Sequence, residues 1–445
     1  MRKMKIKNFL MLILLLAAQP VWSQTAVDTL LTLEQALSIA LQNNHDIRIA
    51  ENDLQKSKNN ATPGNVGLFP SLSLQGNYNE ELNNTNIEFA SPQQPNISKD
   101  NARSTSYSGA VNFNYILFGG LGRFYRLKSL NNLSTIGNLR LRHTIENIMV
   151  QVHQAYFSII QQAENVNIAR MNLGISHERY LLRKKQFSVG GGGKLLVLNA
   201  EVDLNSDSIQ LKQAQNNLEN AKRNLNVILA RNPEVPFQVL TEIPLPSVIQ
   251  NEQALIRNAE EKNTELLLIR QQKTNAELQH KVVKAGYYPR INLSSSYNYN
   301  KTESDGSFIT NQETYGLSGG LSLQFTIFDG RQQKIDAQNA EIEIRSMSRN
   351  VMKTEEQIKR DLLNQYNNVV TSRQLFEMAR DDVKTAELNF KQSEQFLQAG
   401  QISSTEYRTA QLNLMRALQR QSNYKIQLKL AEVRLRKVTG LLISE

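Results

Sequence analysis

Phe69-Pro70-Ser71-Leu72-Ser73-Leu74 is answered later in the chain by Tyr288-Pro289-Arg290-Ile291-Asn292-Leu293, at an offset of 289 − 70 = 219. Each proline opens a strictly alternating run. Leu72, Leu74, Gly76 and Tyr78 fall on one face, against Ser71, Ser73, Gln75 and Asn77 on the other. A second run sets Tyr107, Gly109, Val111, Phe113, Tyr115 and Leu117 against Ser106, Ser108, Asn112 and Asn114. The later copy repeats this with Ile291, Leu293, Tyr297 and Tyr299, and then with Leu317, Leu321, Leu323, Phe325 and Ile327. Alternation of this period predicts four strands, each with one apolar and one Ser/Asn/Gln face. The segments between paired strands, Asn79–Ser104 and Asn300–Thr314, are polar and read as exposed loops.

Outward from the strands, the correspondence continues in order. Glu34-Gln35-Ala36-Leu37 recurs as Glu252-Gln253-Ala254-Leu255, and Ile116-Leu117-Phe118-Gly119-Gly120 as Thr326-Ile327-Phe328-Asp329-Gly330. Gln186-Phe187 before Gly190 is matched by Gln395-Phe396 before Gly400. The chain therefore reads as two internal structural repeats. The expected layout is a leader over 1–23, a first repeat over 24–231, a linker over 232–250 and a second repeat over 251–445. Each repeat orders a helix, two strands, a long helix and a further helix.

Residues 30–62 read as the first helix, stopped by Pro63 and Gly64. The long helices are predicted over Leu121–Phe187 and Arg331–Leu397, neither of which contains a proline. At about 1.5 Å per residue such a helix extends on the order of 100 Å. Val152, Ile159, Val166, Leu173, Tyr180 and Phe187 lie seven apart, and Leu362, Val369, Phe376, Val383, Phe390 and Leu397 repeat the seam. A seven-residue period implies left-handed supercoiling of packed helices. The closing helices are expected over Leu195–Ala230 and Ser404–Val438.

Of 445 residues, 40% are hydrophobic and none is cysteine, which excludes disulfide scaffolds, zinc knuckles, thiolate chemistry and S-lipidation. Arg2, Lys3, Lys5 and Lys7 precede an apolar run from Phe9 to Ala18, the layout of a secretory leader. That run is too short for a membrane-spanning helix. Without the leader the formal charge falls from +10 to 10 − 4 = +6, a modest balance that argues against nucleic acid as a partner.

Four strands do not make a closed sheet, and an open edge is not tolerated in a bilayer. Their patterning matches barrel strands with a lipid side and a water side. Closure then calls for several copies, and three chains supply 3 × 4 = 12 strands. The bland alternative is a soluble sandwich with one wet face.

This order of leader, helix, paired strands, long helix, glycine turn and helix, all twice, resembles the TolC-like outer membrane efflux protein family. Phe-Pro and Tyr-Pro at the strand entries, Phe-Gly-Gly and Phe-Asp-Gly at the exits, and the Gln-Phe…Gly turns carry the likeness. The resemblance implies a mixed α and membrane-β fold. That fold is a homotrimeric channel with a 12-stranded β-barrel in a Gram-negative outer membrane and a long periplasmic α-helical coiled-coil barrel. It implies a passive exit duct of a tripartite efflux or type I secretion system. Its partners would be outer-membrane lipid, a periplasmic adaptor of the membrane fusion type, and an inner-membrane transporter of RND, ABC or MFS type. The adaptor would dock at the tips, near Gly190, Gly191, Gly400 and Gln401. The gate would lie six and nine residues past the turn glycine, where the family places acids. Here those positions are Glu406 and Thr409, so only the first is acidic, and in the first repeat Leu196 stands six past Gly190. Three Glu406 carboxylates around an axis would attract cations. The competing reading makes Glu406 a first-turn helix glutamate favoured by the macrodipole.

Nothing in the sequence points to an enzyme or a cofactor. His45, His143, His153, His177 and His280 are scattered, with no metal-ligand spacing. Gly190-Gly191-Gly192-Gly193-Lys194 lacks the Ser or Thr that a phosphate loop requires after the lysine. The alternative function is a soluble periplasmic coiled-coil adaptor, although two units with paired amphipathic strands are not an adaptor's pattern.

Overall fold

The computed structural model describes residues 29–91, 93–241 and 251–443. The expected leader 1–23 and residues 242–250 of the linker lie outside the described residues. In chain order the elements are β1 (Thr29–Leu31), α1 (Leu33–Asn43), α2 (His45–Asn60), β2 (Ser71–Ile87), β3 (Ile97–Gly119), α3 (Gly122–Ser188) and α4 (Lys194–Ile228). There follow β4 (Phe237–Val239), α5 (Glu252–Lys262), α6 (Thr264–Lys284), β5 (Arg290–Ser304), β6 (Asn311–Gln324), α7 (Gln332–Gln398) and α8 (Ser404–Val438). Helices α3 and α7 are each 67 residues long, within one residue of the expected bounds.

The helix expected over 30–62 is two helices preceded by a short strand. Thr32 and Gln35 form a reciprocal capping box at the start of α1. The chain then breaks at Asn44, whose ψ of 131° is extended. Asn263 has the same conformation, with ψ 120°, between α5 and α6. Each asparagine stitches its break to the end of the last helix of its own half. The Asn44 side-chain amide donates to the Ile228 carbonyl at 2.8 Å, and the Asn263 amide to the Val438 carbonyl at 2.8 Å. Asn263 also caps α6 by accepting from the Leu266 backbone N–H at 3.0 Å.

The residues form two compact bodies, each drawing on both halves of the sequence. The first holds residues 29–45, 147–241 and 365–435, and contains the α3–α4 and α7–α8 turns. In it β1 pairs in parallel with β4, and the Tyr156 hydroxyl donates to the Leu31 carbonyl at 3.0 Å. Val152, Ile159, Val166, Val369 and Phe376 of the seven-residue seams are buried here.

The second body holds residues 46–146, 251–364 and 436–443, including the sheet. Its strand order is β2-β3-β5-β6, every neighbour antiparallel, so β2 and β6 are edges. The strands run well into the stretches expected to be loops. Of Asn79–Ser104, residues to Ile87 and from Ile97 belong to strands, and only Glu303-Ser304 and Asn311 onward remain paired beyond Thr302 in the other hairpin. Alternation stops at these ends while the backbone ladder continues, as in Glu80↔Thr105 and Thr85↔Lys99. Arg103–Glu80 at 2.6 Å and Lys99–Asp305 at 2.8 Å are ion pairs in this polar part. At the other end β6 stops at Gln324, so Phe325 and Ile327, expected in the strand, lie beyond it. Helix α4 likewise ends at Ile228 rather than Ala230.

Candidate functional site: a two-faced sheet and paired helical tips

The strand register turns the alternation of each strand into a continuous surface. Leu74 faces Val111, Val111 faces Tyr297, and Tyr297 faces Leu317, giving one apolar row across all four strands. Tyr115, Leu293 and Leu321 make a second row across β3, β5 and β6, while Gly76, Gly109, Tyr299 and Tyr315 make a third across all four strands. Directly opposed residues share a face. The apolar side chains stand open: Leu74 is 83% exposed and Leu317 77%. The opposite face is a polar ladder, in which Ser296 Oγ donates to Asn112 Oδ1 at 2.8 Å and Asn298 Nδ2 reaches Ser318 Oγ at 3.4 Å. A largely exposed apolar face of this size on a soluble domain would be an association surface. No described helix is long and apolar enough to cross a membrane.

Both strand-to-helix junctions use two successive left-handed residues, Gly120-Leu121 (φ 62° and 64°) and Gly330-Arg331 (φ 71° and 72°). At Gly120 a Cβ would lie 2.4 Å from the Ala285 carbonyl, so the glycine is needed for both reasons.

At the tips, Gly190 (φ 77°) and Gly400 (φ 71°) end the long helices. Gly190 N–H returns to Phe187 O at 3.1 Å and Gly191 N–H to Gln186 O at 2.9 Å. Gly400 N–H and Gln401 N–H do the same toward Leu397 O and Phe396 O, at 3.2 and 2.8 Å. These are glycine-terminated helix ends of the Schellman kind. The sequence-derived tip residues Gly190, Gly191, Gly400 and Gln401 therefore all lie in tight turns. Gly190–Lys194 is a helix-to-helix turn, with Lys194 the first residue of α4. Arg183 of α3 donates to Ser404 Oγ at 2.5 Å, joining one hairpin to the other.

Glu406 stands in the first turn of α8. Its carboxylate accepts from the Ser403 backbone N–H at 2.7 Å, and its own N–H is capped by Ser403 Oγ at 3.2 Å. This reciprocal box, led by the backbone donor, holds the Glu406 carboxyl below its ordinary pKa. Thr409 Oγ1 turns back to the Thr405 carbonyl at 2.9 Å. Leu196 is partly exposed.

Just past these residues lies a buried cluster that the sequence reading did not find. Arg408 grips Asp207 bidentately, both N–O distances being 2.7 Å, and also donates to Ser176 Oγ at 3.1 Å. Ser176 donates to Asp207, and Arg179 pairs with Asp203. Gln411 Nε2 donates to Asn172 Oδ1 at 2.7 Å. Asp207, Ser176 and Gln411 are completely buried. The cluster thereby fastens α3, α4 and α8 together. Burial pushes the Arg179 guanidinium down, with Asp203 opposing it. Beside it Tyr407, 5.3 Å from Phe390 ring to ring, is pushed up to about 12 by burial. One signal was available: Asp203 and Asp207 are four apart on one helix face, a like-charge pair that needs a cation.

Among the described residues no group of three or more His, Asp or Glu is placed to hold a metal ion. An apolar face laid over a polar ladder in one sheet, carried on 67-residue helices that end in glycine-closed turns, defines a membrane-channel class of protein. The outer membrane efflux protein family model matches residues 36–231 and 255–441, and the chain belongs to that family. It is an outer-membrane protein of the Gram-negative type. Outer membrane protein TolC of Vibrio cholerae is 20% identical over 386 residues, covering 86% of this chain and 85% of the relative. The alkaline protease secretion protein AprF of Pseudomonas aeruginosa is 21% identical over 416 residues, covering 91% and 83%. In fold the chain is similar to the CmeC outer membrane channel of Campylobacter jejuni, with a TM-score of 0.74, 17% identity, and 92% and 86% of the two chains covered.

Proposed function

We propose that three copies of the chain close their sheets into one 12-stranded outer-membrane barrel and that their helices form a passive periplasmic duct. The supporting observation is the sheet, with its bare apolar face, its polar ladder and its two unpaired edge strands, β2 and β6. A spanning sheet must satisfy every backbone group, so the β6 edge of one copy has to pair with the β2 edge of the next. The apolar rows then face lipid and the Asn/Ser rows face the lumen. The two sequence repeats, 24–231 and 251–445 about the 232–250 linker, would supply alternate staves of the helical part.

In this reading the duct works in a tripartite system. The tips at Gly190, Gly191, Gly400 and Gln401 dock a periplasmic adaptor, through which an inner-membrane RND, ABC or MFS transporter supplies the energy. The secretion role in the name of the AprF relative supports an export function. Glu406, with Thr409 one turn on, is the gate position. The capping box keeps its carboxylate ionised, so three copies would present a ring of negative charge.

The chain has no native cysteine, which makes cross-linking clean. A cysteine at Gln75 on β2 combined with a scan along β6 is expected to yield disulfide-linked trimers in outer-membrane fractions. Monomers at every β6 position would defeat the proposal.

A further inference from the structure

The two hairpin tips are alike in backbone and unlike in charge. From Tyr180 to Ala200 the first carries Arg183, Lys184, Lys185 and Lys194 and no acid, a net 4 − 0 = +4. The matching stretch of the second, Phe390 to Ala410, sets Lys391 and Arg408 against Glu394 and Glu406, a net 2 − 2 = 0. Arg183 is used within the body, on Gln186 Oε1 at 2.8 Å and Ser404 Oγ at 2.5 Å. Lys184 lies 5.8 Å from the centre of the Tyr180 ring. Among the described residues Lys184, Lys185 and Lys194 form no ion pair, and all three are exposed. Helix energetics account for part of this charge. Lysines near the end of α3 suit its dipole, but Lys194 is the first residue of α4, where a cation is disfavoured. Gly193 before it supplies no side-chain cap, whereas α8 starts with the Ser403–Glu406 box. The first tip is therefore positive where local folding would favour an acid.

Among these charges stand exposed apolar side chains, Phe187, Val189 at 76% and Leu195 at 68%. An unpaired positive surface with apolar groups in it fits a partner of opposite sign, since a like-charged surface would repel the lysines. We propose that the first hairpin tip, not the second, is the electrostatic half of the docking surface, and that it takes an adaptor face on which Asp or Glu side chains flank an apolar centre. The second tip adds no such selection, because Glu406 is held in its capping box and Arg408 is bound to Asp207. The two repeats thus offer the adaptor unlike contacts, and charge sets the orientation in which it meets them. The proposal rests on the reading of the tips as the place of adaptor docking.

Two cross-linkers in intact native cells test it. Benzoylphenylalanine in place of Val189 reports any contact at the tip, while carbodiimide joins only a lysine amine to a touching carboxylate. Heat-modified gel mobility of each variant reports the trimer separately. The expected carbodiimide product links Lys184, Lys185 or Lys194 to an Asp or Glu of a periplasmic protein that the photo-cross-linker also captures. Lys184→Arg, Lys185→Arg and Lys194→Arg together keep the charge and remove the amines, so the carbodiimide product should vanish and the photo-product remain. Lys184→Glu, Lys185→Glu and Lys194→Glu together should cut the photo-product on the order of tenfold, the combined effect of three exposed charge pairs. Lys212→Glu, an exposed charge on α4 away from the tip, should leave both products unchanged. A photo-product without a carbodiimide product, or one that survives the charge reversal, would overturn the acidic partner and leave adaptor docking standing. Carbodiimide links only to Glu394 or another acid of this chain would assign the basic tip to a neighbouring copy and overturn the proposal. Photo-products with phospholipid alone would overturn it in favour of a membrane surface. No photo-product at all from a sound trimer would remove tip docking, and this inference with it.

Discussion

Replacing Asp207 by Asn should loosen the end of the helical hairpins without altering the sheet. Asp207 is fully buried, takes both terminal nitrogens of Arg408 at 2.7 Å and accepts from Ser176. The substitution removes the negative charge and turns an amide NH2 toward a guanidinium that is itself only 13% exposed. Two charge-assisted hydrogen bonds taken singly are worth about 1.5–3 kcal/mol each, but they belong to one pair and do not add freely. Breaking one side of a buried ion pair costs about 3–5 kcal/mol, because the remaining charge stays in the interior. The lower figure is roughly a hundredfold in a local opening constant. Hydrogen exchange followed by mass spectrometry on purified protein reads this directly. Amides of α3 around Asn172–Arg179 and of α8 around Arg408–Gln411 should exchange faster by that factor, with strand amides unchanged. The double variant Asp207→Leu, Arg408→Met, which leaves no orphan charge, should recover most of the protection. Exchange of the single variant within about threefold of the parent would refute the assignment of the cluster as a fastener.

Three further outcomes follow from the same geometry. Gly400→Val forces a β-branched residue to φ 71°, a cost on the order of 1–2 kcal/mol; it should cut export in a cargo assay while trimers still form on gels. Glu406→Gln weakens the capping box and should lower cation preference in single-channel recordings. Because the folded carboxyl sits below its ordinary pKa, its contribution is present at neutral pH and disappears as pH falls through the folded value. Thermal melts of parent and variant should therefore differ near pH 7 and converge in acid. Asn263→Ala removes a 2.8 Å bond to the Val438 carbonyl and the α6 cap, costing about 1–3 kcal/mol, read as a lower melting temperature.

The long helices were legible because they contain no proline and stop at glycines whose left-handed φ only that residue adopts readily. The apolar part of each strand was legible because a sheet with one apolar and one polar face imposes a period of two. The polar ends of the strands were not. Past Tyr78 and Tyr299 both faces are wet, the alternation vanishes, and only the backbone ladder reveals that pairing goes on. The breaks at Asn44 and Asn263 contain neither proline nor glycine, yet the two asparagines are 263 − 44 = 219 apart, the offset of the strand entries. Each is followed two residues later by an acid, Asp46 or Glu265, the chemistry of a helix start. The Arg408–Asp207 cluster joins residues 201 apart from three helices. Singly, each reads as a solvated charge, and only the packing of the hairpins brings them together.

The central claim is that the sheet spans a bilayer with its apolar rows to lipid and its Asn/Ser rows to an aqueous lumen. Single cysteines carrying a nitroxide spin label along β6, from Leu317 to Leu323, test it in reconstituted membranes. Labels at Leu317, Leu321 and Leu323 should respond to oxygen, and labels at Ser318 and Ser322 to a water-soluble nickel complex. Uniform access of the nickel complex to every position would contradict the account and leave the sheet in water.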